Sequence, residues 1–395
     1  MDKRTLKDIN VAGKKVLVRV DYNVPMDDNG NITDDTRIKA SLPTLKYLLK
    51  HKAAVIIMAH LGRPKGQPVP KYSLKPVAAH LSQLLKKPVA FAEDCIGPKA
   101  QEAAANLKSG DVLVLENLRY HNEEEANDLK FAEELASLAE AYVNDGFGVS
   151  HRAHASVEGV THFLPAVAGF LMEKEVKYLG NAVDKPEHPF AAILGGAKVS
   201  DKIAVIDSLM TKADVILIGG GMANTFLAAE GYKMGKSLVE QENIAIAAKL
   251  LKKAKAKKVK MLLPIDVVAA AAFAADAQHE VDDVDKINQE YMALDIGPKT
   301  AALYADTIKK MKTVVWNGPM GVFEMAPFAN GTKTVAKAMA DSKAITVVGG
   351  GDSAAAINKW NLAKKITHVS TGGGASLEYS EGKGLPGVLA LDDLR

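Results

Sequence analysis

Short apolar runs alternate with segments of helical periodicity along the whole chain. Runs rich in Val, Ile, Leu and Ala predict strands, and apolar residues three and four positions apart predict the helices between them. In the first part the predicted strands are Val16–Asp21, Ala54–His60, Val89–Ala92, Val112–Asn117 and Ala141–Asp145, and the predicted helices include Ile38–Lys50, Leu74–Lys86 and Asn122–Glu140. This alternation is typical of βαβ units.

The second part of the chain repeats the alternation. Its predicted strands are Phe190–Leu194, Val215–Ile218, Val259–Leu263, Val314–Trp316, Ile345–Val348 and Thr367–Ser370, with helices such as Gln241–Lys255 and Thr300–Lys310. Strands that are apolar on both faces favour parallel sheets covered by helices on each side. We therefore expect an α/β protein of two Rossmann-like, doubly wound parallel-sheet domains joined by a helix and a hinge.

The boundary between the two sets of strands is placed at a helix-like run, Ala168–Val183, followed by the turn-rich segment Asp184–Pro189. The predicted domains are residues 1–170 and 190–377, with a connecting helix and linker at 171–189. A tail, 378–395, is expected to pack near the first domain. The alternative is one large sheet with another crossover helix, but eleven strands would strain a single twisted sheet.

Composition excludes several classes of protein. The 395 residues are 48% hydrophobic and 25% charged, which is ordinary globular usage, and the net charge of +3 favours neither a nucleic-acid nor a membrane partner. The single cysteine excludes an intrachain disulfide and suits the reducing cytoplasm. The first ten residues are charged rather than signal-like, and the uncharged stretch Val215–Ala229 is too short for a bilayer.

Arginine is scarce and unevenly placed. Only seven of the 50 basic residues are arginine, and six of them lie at or before Arg152. Ligands of parallel sheets bind at the carboxyl ends of the strands, so the residues that follow each strand are candidates. In the first domain these candidates are Asp21, Asn23, Arg37, His60, Arg63, Arg119 and Arg152. Guanidinium groups suit bidentate recognition, which predicts a pocket for a small, multiply charged anion; the alternative is ordinary solvated loop arginines.

The corresponding loops of the second domain are rich in glycine. They are Gly195–Gly196 with Lys198 and Lys202, Gly219–Gly221, Asn317–Pro319, Gly349–Gly351 with Asp352 and Ser353, and Thr371–Gly374. Glycine lets backbone N–H groups approach phosphate oxygens at a helix N-terminus, lysine neutralises polyphosphate, and an aspartate can hold Mg²⁺. We interpret the set as a nucleotide site, against the alternative of tight turns.

Three other motifs carry less weight. Gly231–Ser237 resembles a P-loop, but its glycines are four apart and it follows a helix-like run. Gly349–Ala354 matches a dinucleotide fingerprint, but the acidic residue lies inside the loop, at Asp352, rather than about 20 residues later. His151 and His154 lack the carboxylate of a helical zinc motif and are interpreted as anion-facing or hydrogen-bonded histidines.

An anion site and a nucleotide site in one chain suggest phosphoryl transfer, which depends on positioning and charge neutralisation. No general base stands out, and a carboxylate acceptor needs none. Two other functions stay open on the residues alone. One is a dehydrogenase that uses the Gly349 loop, and the other is a nucleotide-regulated binding protein without turnover.

Eight motifs of this chain resemble those of the phosphoglycerate kinase family, over essentially its whole length. They are Val18–Pro25, Asp35–Ile38, Ala59–Pro64, Glu116–Tyr120, Asn144–Phe147, Leu194–Val199, Asn317–Glu324 and Gly349–Asp352. The resemblance implies a bilobal kinase that transfers a phosphoryl group reversibly from 1,3-bisphosphoglycerate to Mg-ADP, giving 3-phosphoglycerate and Mg-ATP. It also implies a cytoplasmic monomer that closes about a hinge, with small-molecule partners only.

The resemblance implies a role for each candidate. Asp21, Asn23, Arg37, His60, Arg63, Arg119 and Arg152 would bind the glycerate substrate. Gly196, Lys202, Gly220, Asn317, Pro319, Val322, Glu324, Gly350, Gly351, Asp352 and Ser353 would bind ADP or ATP, with Asp352 on Mg²⁺. Arg37 and Lys198 would stabilise the transferring phosphoryl group, aided by the amides of Gly372 and Gly373.

Overall fold

The computed structural model describes residues 2–394, so Met1 and Arg395, the outer ends of the predicted first domain and tail, lie outside the described residues. The described chain forms two compact units, residues 2–177 with 384–394, and Tyr178–Lys383. Each unit has its own parallel sheet, and the fold class predicted from the sequence is confirmed. The alternative of one large sheet is therefore wrong.

The sheet of the first unit has, within the described residues, six parallel strands in the order β3-β4-β2-β1-β5-β6. They are β1 (Lys15–Arg19), β2 (Ala54–Met58), β3 (Ala90–Ala92), β4 (Val112–Leu115), β5 (Ala141–Asn144) and β6 (Ala166–Ala168). The sequence prediction missed β6, whose last residue, Ala168, was taken as the start of the helix-like run. It also extended four strands past their ends, where polar residues such as Asp21 and His60 begin the loops.

Helices cover this sheet through their apolar faces. They are α1 (Thr36–Lys50), α2 (Lys75–Leu85), α3 (Gly97–Ala105), α4 (Asn122–Glu125), α5 (Leu129–Ala136) and α6 (Phe170–Leu179). The predicted helix Asn122–Glu140 is broken at Asn127, whose φ of 52° lies in the left-handed region. Asp128 then caps the next helix, because its carboxylate accepts the N–H of Phe131 at 2.8 Å.

The second unit contains, among the described residues, a second six-stranded parallel sheet and a three-stranded antiparallel sheet. The strands are β7 (Phe190–Leu194), β8 (Val215–Ile218), β9 (Lys260–Leu262), β10 (Asp266–Ala270), β11 (His279–Asp283), β12 (Met292–Ile296), β13 (Thr313–Asn317), β14 (Ile345–Gly349) and β15 (His368–Val369). The parallel order is β15-β14-β13-β7-β8-β9, and the antiparallel order is β11-β10-β12. The sequence prediction missed the antiparallel sheet, because exposed β11 is polar and β10 ends in alanines.

The helices of the second unit are α7 (Ile203–Leu209), α8 (Gly221–Ala229), α9 (Ile244–Ala256), α10 (Pro298–Lys309), α11 (Asn330–Asp341), α12 (Gly351–Lys359) and α13 (Gly373–Ser380). The core between α10, α11 and the sheet contains Trp316, Tyr304 and Met339, all fully buried. The Tyr304 hydroxyl donates to the carbonyl of Ile218 at 2.6 Å, which satisfies a buried polar group. Among residues 2–394, no helix combines the length and the apolar character that a membrane span requires.

The C-terminal segment returns to the first unit and includes α14 (Pro386–Leu389). The Gly387 N–H donates to the carbonyl of Ser150 at 2.9 Å, and the Arg4 N–H donates to that of Asp392 at 2.8 Å. Residues 378–383, which we predicted to belong to the tail, instead cluster with the second unit, since α13 continues to Ser380.

The predicted connecting segment 171–189 is divided between the two units, whose boundary falls after Lys177. Helix α6 begins on the first unit, where its N-terminus is anchored by side chains. The Phe170 N–H donates to the Thr44 hydroxyl at 2.9 Å, and the Leu171 N–H donates to the Asp145 carboxylate at 3.0 Å. Two N–H groups at the start of this helix are therefore satisfied by side chains of α1 and of the loop that follows β5.

Candidate active site

The loops that carry the predicted anion site follow four neighbouring strands, β4, β2, β1 and β5. Backbone and side-chain contacts link these loops. The Arg37 guanidinium donates to the carbonyl of Asn23 at 2.8 Å and pairs with Asp21 at 3.3 Å. The Asn23 side-chain oxygen accepts the N–H of Gly62 at 2.9 Å, and Arg119 donates to the Gly62 carbonyl at 3.4 Å. The structure thus brings together residues up to 98 positions apart in sequence, from Asp21 to Arg119.

The pKa values of two histidines, His60 and His154, are lowered by burial and by the positive charge of this region. Burial, followed by the guanidinium groups of Arg19 and Arg119, lowers the pKa of His60 well below its ordinary value. Burial and the same two arginines, with Arg152, lower the pKa of His154 to about 4. Like charges disfavour a protonated imidazole, so both rings are neutral at pH 7 while the arginines stay charged.

A cavity of about 410 Å³ opens beside Arg37 and is lined by Asn23, Val24, Pro25 and Asp34 as well. Arg63 is exposed on the loop that contains Gly62, and Arg152 is exposed before His154. A small cavity lined by the Arg37 guanidinium suits a compact anion, and the positive charges of Arg37 and Arg119 also act on nearby His60.

One member of this region, Arg19, was not among the residues predicted for the site. Arg19 lies at the end of β1 and is 0% exposed, so a rule that reads only the loops passes over it. The available signal was a charged residue within the otherwise apolar run from Val16 to Val20. Because a buried charge must be compensated by hydrogen bonds or ion pairs, such a residue is expected to belong to a buried polar network rather than to an exposed surface.

The glycine-rich loops of the second unit follow five neighbouring strands, β15, β14, β13, β7 and β8. Backbone hydrogen bonds join three of these loops. The N–H groups of Gly195, Gly196 and Gly220 donate to the carbonyls of Asn317, Pro319 and Met320 at 3.0, 3.1 and 3.0 Å. The loops after β7, β8 and β13 therefore form one continuous surface.

The glycines divide into two groups by what surrounds them. A Cβ on Gly195 would lie 2.1 Å from the Pro319 carbonyl oxygen, and one on Gly220 would lie 2.5 Å from that of Gly196, so these glycines allow loops to pack closely. A Cβ on Gly196, Gly351 or Gly373 would meet no atom within 4 Å. These three positions face open space, as expected where a ligand approaches the backbone.

A cavity of about 520 Å³ lies along this surface. Its lining includes Gly196, Gly220, Leu238, Phe273, Pro319, Val322, Glu324 and Asp352. Leu238 and Phe273 were not among the predicted residues, because they follow α8 and β10 rather than a strand of the parallel sheet. Apolar side chains beside carboxylates and open glycine amides match a nucleotide, whose base is flat and apolar and whose phosphates are charged.

Three predicted nucleotide residues are held by contacts within the protein. The Lys202 amine is mostly buried and donates to the Asn317 side-chain oxygen, and burial lowers the pKa of Lys202 despite nearby Asp201 and Asp352. The Ser353 hydroxyl accepts the N–H of Gly318 at 2.6 Å, so it holds the neighbouring loop.

Gly372 and Gly373 differ at the start of α13. The Gly372 N–H donates to the Ser370 hydroxyl at 3.1 Å, and therefore it already has a partner within the protein. Gly373 adjoins open space. Of the two predicted amide donors, Gly373 has the more suitable surroundings.

The donor set of the second cavity fits Mg²⁺. Asp352 and Glu324 both line it and are exposed, and Asp352 lies in the first turn of α12 beside open Gly351. Carboxylate oxygens are hard ligands of the kind that Mg²⁺ prefers alongside substrate phosphates. Asp352 is therefore available to a metal that also contacts a nucleotide.

Asp295 is a buried carboxyl group in the wall of the same cavity. Its two oxygens accept the N–H groups of Ile296 at 2.9 Å and Gly331 at 2.8 Å. Burial outweighs these hydrogen bonds and raises the pKa of Asp295 to about 8. At neutral pH the folded chain therefore holds a proton here that an exposed aspartate would have lost.

We expect Asp295→Asn to gain stability relative to the parent chain as pH rises. Between about pH 4 and pH 8 the folded parent binds a proton that the unfolded chain lacks, so the parent's free energy of unfolding falls with rising pH. Asparagine does not titrate. Urea unfolding of both chains should show that the difference between their free energies of unfolding changes by about 1 kcal/mol per pH unit between pH 5 and 7. Parallel profiles would show that Asp295 is ionised in the folded chain.

The fold and the two pockets are those expected of a phosphotransferase, an enzyme that moves a phosphoryl group between a nucleotide and a small acceptor, and the comparisons with known proteins show this class. A family model for phosphoglycerate kinase matches residues 6–383. The phosphoglycerate kinases of Moorella thermoacetica and Chloroflexus aggregans are 59% and 57% identical to this chain, with all of each chain covered. The chain belongs to the phosphoglycerate kinase family, whose known function is glycolytic phosphoryl transfer.

Solved structures agree with this assignment. A structure of phosphoglycerate kinase from Coxiella burnetii matches with a TM-score of 0.90 at 40% identity, covering 98% of both chains. That of the enzyme from Pyrococcus horikoshii matches with a TM-score of 0.83 at 37% identity, again covering 98% of both. The resemblance inferred from the sequence motifs is confirmed.

Proposed function

We propose that this chain transfers a phosphoryl group reversibly from 1,3-bisphosphoglycerate to Mg-ADP, giving 3-phosphoglycerate and Mg-ATP. The observation that carries the proposal is a cluster of positive charge: Arg37 and Arg119 act on His60, and Arg119 and Arg152 act on His154. A small cavity opens at Arg37. The glycine-lined cavity of the other unit supplies a place for the nucleotide.

The acceptor chemistry explains why no general base is needed. In the direction of 3-phosphoglycerate phosphorylation, the attacking group is a carboxylate, which is ionised well below pH 7. Its oxygen has no proton to lose. The protein's task is to position two anions and to neutralise charge as the phosphoryl group moves in line between them.

The proposed roles follow the two pockets. Asp21, Asn23, Arg37, His60, Arg63, Arg119 and Arg152 bind the glycerate substrate. Gly196, Lys202, Gly220, Asn317, Pro319, Val322, Glu324, Gly350, Gly351, Asp352 and Ser353 bind ADP or ATP, and the Ser353 hydroxyl also accepts the Gly318 N–H. Arg37 and Lys198 stabilise the transferring group, with Gly372 and Gly373 nearby.

We propose Asp352 as the ligand of Mg²⁺, supported by its exposed carboxylate in the lining of the nucleotide cavity. When bound, the metal would neutralise phosphate charge and orient the nucleotide. Direct transfer requires the two ligands to meet, so we propose that the units close when both are bound. The lone, buried Cys95 supports a cytoplasmic location, and a monomer is proposed.

The proposed reaction is tested by phosphorylation of 3-phosphoglycerate with Mg-ATP, coupled to reduction of the acyl phosphate with NADH. Turnover is expected with 3-phosphoglycerate and should be lost with unphosphorylated glycerate, which lacks one of the two anionic groups. NADH oxidation without the coupling enzyme would indicate a dehydrogenase. Nucleotide binding without turnover would leave a regulatory binding protein and would contradict the proposal.

A further inference from the structure

Arg19 connects the anion pocket to the interior of the first unit. It is 0% exposed at the end of β1, and its Nε donates to the Ser156 hydroxyl at 2.8 Å. One terminal nitrogen donates to the carbonyl of Val20, and the other lies 3.2 Å from Nδ1 of His60. His60 and Arg19 are 41 positions apart, so only the fold brings them together.

In the hydrogen bond between Arg19 and His60, only one assignment of donor and acceptor is chemically allowed. A guanidinium group has five N–H donors and no acceptor, and it stays protonated in proteins. The hydrogen bond between the two nitrogens must therefore run from Arg19 to a lone pair on Nδ1. An Nδ1 that accepts carries no proton, which excludes both the imidazolium form and the Nδ1–H tautomer while the contact holds.

The remaining proton of neutral His60 lies on Nε2. The ring is 4% exposed, and Nε2 has no hydrogen-bond partner among residues 2–394. Within residues 2–394, the buried side-chain polar atoms without a hydrogen-bond partner do not include Nε2 of His60, so this unpaired nitrogen is not fully buried. Nε2 is therefore an accessible N–H donor in a region surrounded by the positive charges of Arg19, Arg37 and Arg119.

A second set of contacts holds Arg19 in place. The Glu124 carboxylate accepts the Ser156 N–H at 2.7 Å and the Ser156 hydroxyl at 2.6 Å, and it lies 4.0 Å from an Arg19 terminal nitrogen. Both side chains of the ion pair are 0% exposed. A buried guanidinium with partners on three sides has little freedom to turn away from His60.

We propose that Arg19 is a positioning residue that fixes His60 as the neutral Nε2–H tautomer, so that Nε2 donates to an anionic oxygen of bound 3-phosphoglycerate. The tautomer itself follows from the Arg19 contact, whereas the identity of the acceptor rests on the proposed function. Around the ring, the charged and titratable groups are Arg19, Arg37, Arg119 and His154, with Glu124 behind Arg19. The arginines all oppose protonation of His60.

The test begins with ¹⁵N NMR of the full-length chain labelled at histidine, with His60 assigned from its loss in His60→Gln. From pH 6 to 8, Nδ1 should give a pyridine-type shift and Nε2 a pyrrole-type shift. The Nδ1–H tautomer, or a protonated ring in that range, would overturn the proposal. Addition of 3-phosphoglycerate should shift Nε2. If the tautomer is as expected but 3-phosphoglycerate leaves Nε2 unchanged, the proposed acceptor is wrong while the tautomer assignment stands.

Two variants test the positioning role in turnover. Arg19→Gln should raise KM for 3-phosphoglycerate up to about 10-fold, the effect of losing one hydrogen bond to a charged group, and the His60 spectrum should show mixed tautomers because an amide can donate or accept. Arg19→Lys, whose ammonium group can only donate, should retain more of the parent's affinity and tautomer. KM for ATP should stay the same in both variants. An equal rise in both KM values, with His60 unchanged, would indicate a merely structural role. Should either variant fail to fold, the spectrum of the parent chain alone decides the tautomer.

Discussion

Lys198→Ala is expected to lower kcat about 100-fold or more, the usual cost of removing a preorganised charge from a transition state. Lys198 is exposed on the loop that follows β7, two residues after open Gly196. We propose that its amine neutralises the phosphoryl group during transfer. Because no hydrogen bond or salt bridge between residues 2 and 394 holds this side chain, the thermal midpoint should change little.

Steady-state kinetics in both directions, with a matched control, check this result. Lys249→Ala removes the same charge from an exposed position on α9 and should leave kcat unchanged. Lys198→Arg keeps the charge and should retain more activity than Lys198→Ala. Near-parental turnover in Lys198→Ala would contradict the role proposed for this lysine.

Arg37→Ala is expected to lower kcat by a similar factor, about 100-fold or more, and in addition to raise KM for 3-phosphoglycerate. The reason is that Arg37 has two functions. Its guanidinium lines the small cavity of the first unit, and it also holds the Asn23 carbonyl at 2.8 Å and the Asp21 carboxylate at 3.3 Å. Loss of the side chain removes a charge from the pocket and loosens the loop after β1.

The control for Arg37 lies on the same helix. Lys46→Ala removes one positive charge from the exposed side of α1 and should affect neither constant. An Arg37→Ala variant in which only KM changes would show that Arg37 binds substrate without stabilising the transition state. If Arg37 and Lys198 act on the same phosphoryl group, the double variant should lose less than the product of the two single losses.

The parallel sheets were predictable because strands buried on both faces are continuous runs of apolar residues in the sequence. Phe190–Leu194 and Val215–Ile218 are apolar at every position, and the structure gives them the predicted bounds. The antiparallel sheet was not predictable in the same way. In β11 four of the five residues are exposed and four are charged or polar with histidine counted among them, so the strand resembles a loop and exists through its pairing with β10.

The candidate site was predictable to the extent that loops at strand ends carry it. Arg37, Arg119 and His60 were found in this way, and so were the glycines that adjoin open space. The same rule failed for Arg19, which belongs to a strand, and for Leu238 and Phe273, which reach the nucleotide cavity from outside the parallel sheet. In each case the missing information was a contact between distant parts of the chain.

By itself the sequence determined the class of fold and the family, since apolar periodicity and short motifs are local properties, and it predicted a site at the strand ends. Only the tertiary structure decided the strand order, which glycines adjoin open space and which nitrogen of His60 carries its proton. These depend on atoms brought within a few ångströms across gaps such as the 41 positions between Arg19 and His60. Hydrogen bonds and van der Waals contacts form only at that range, and therefore the pattern of residues along the chain does not predict them.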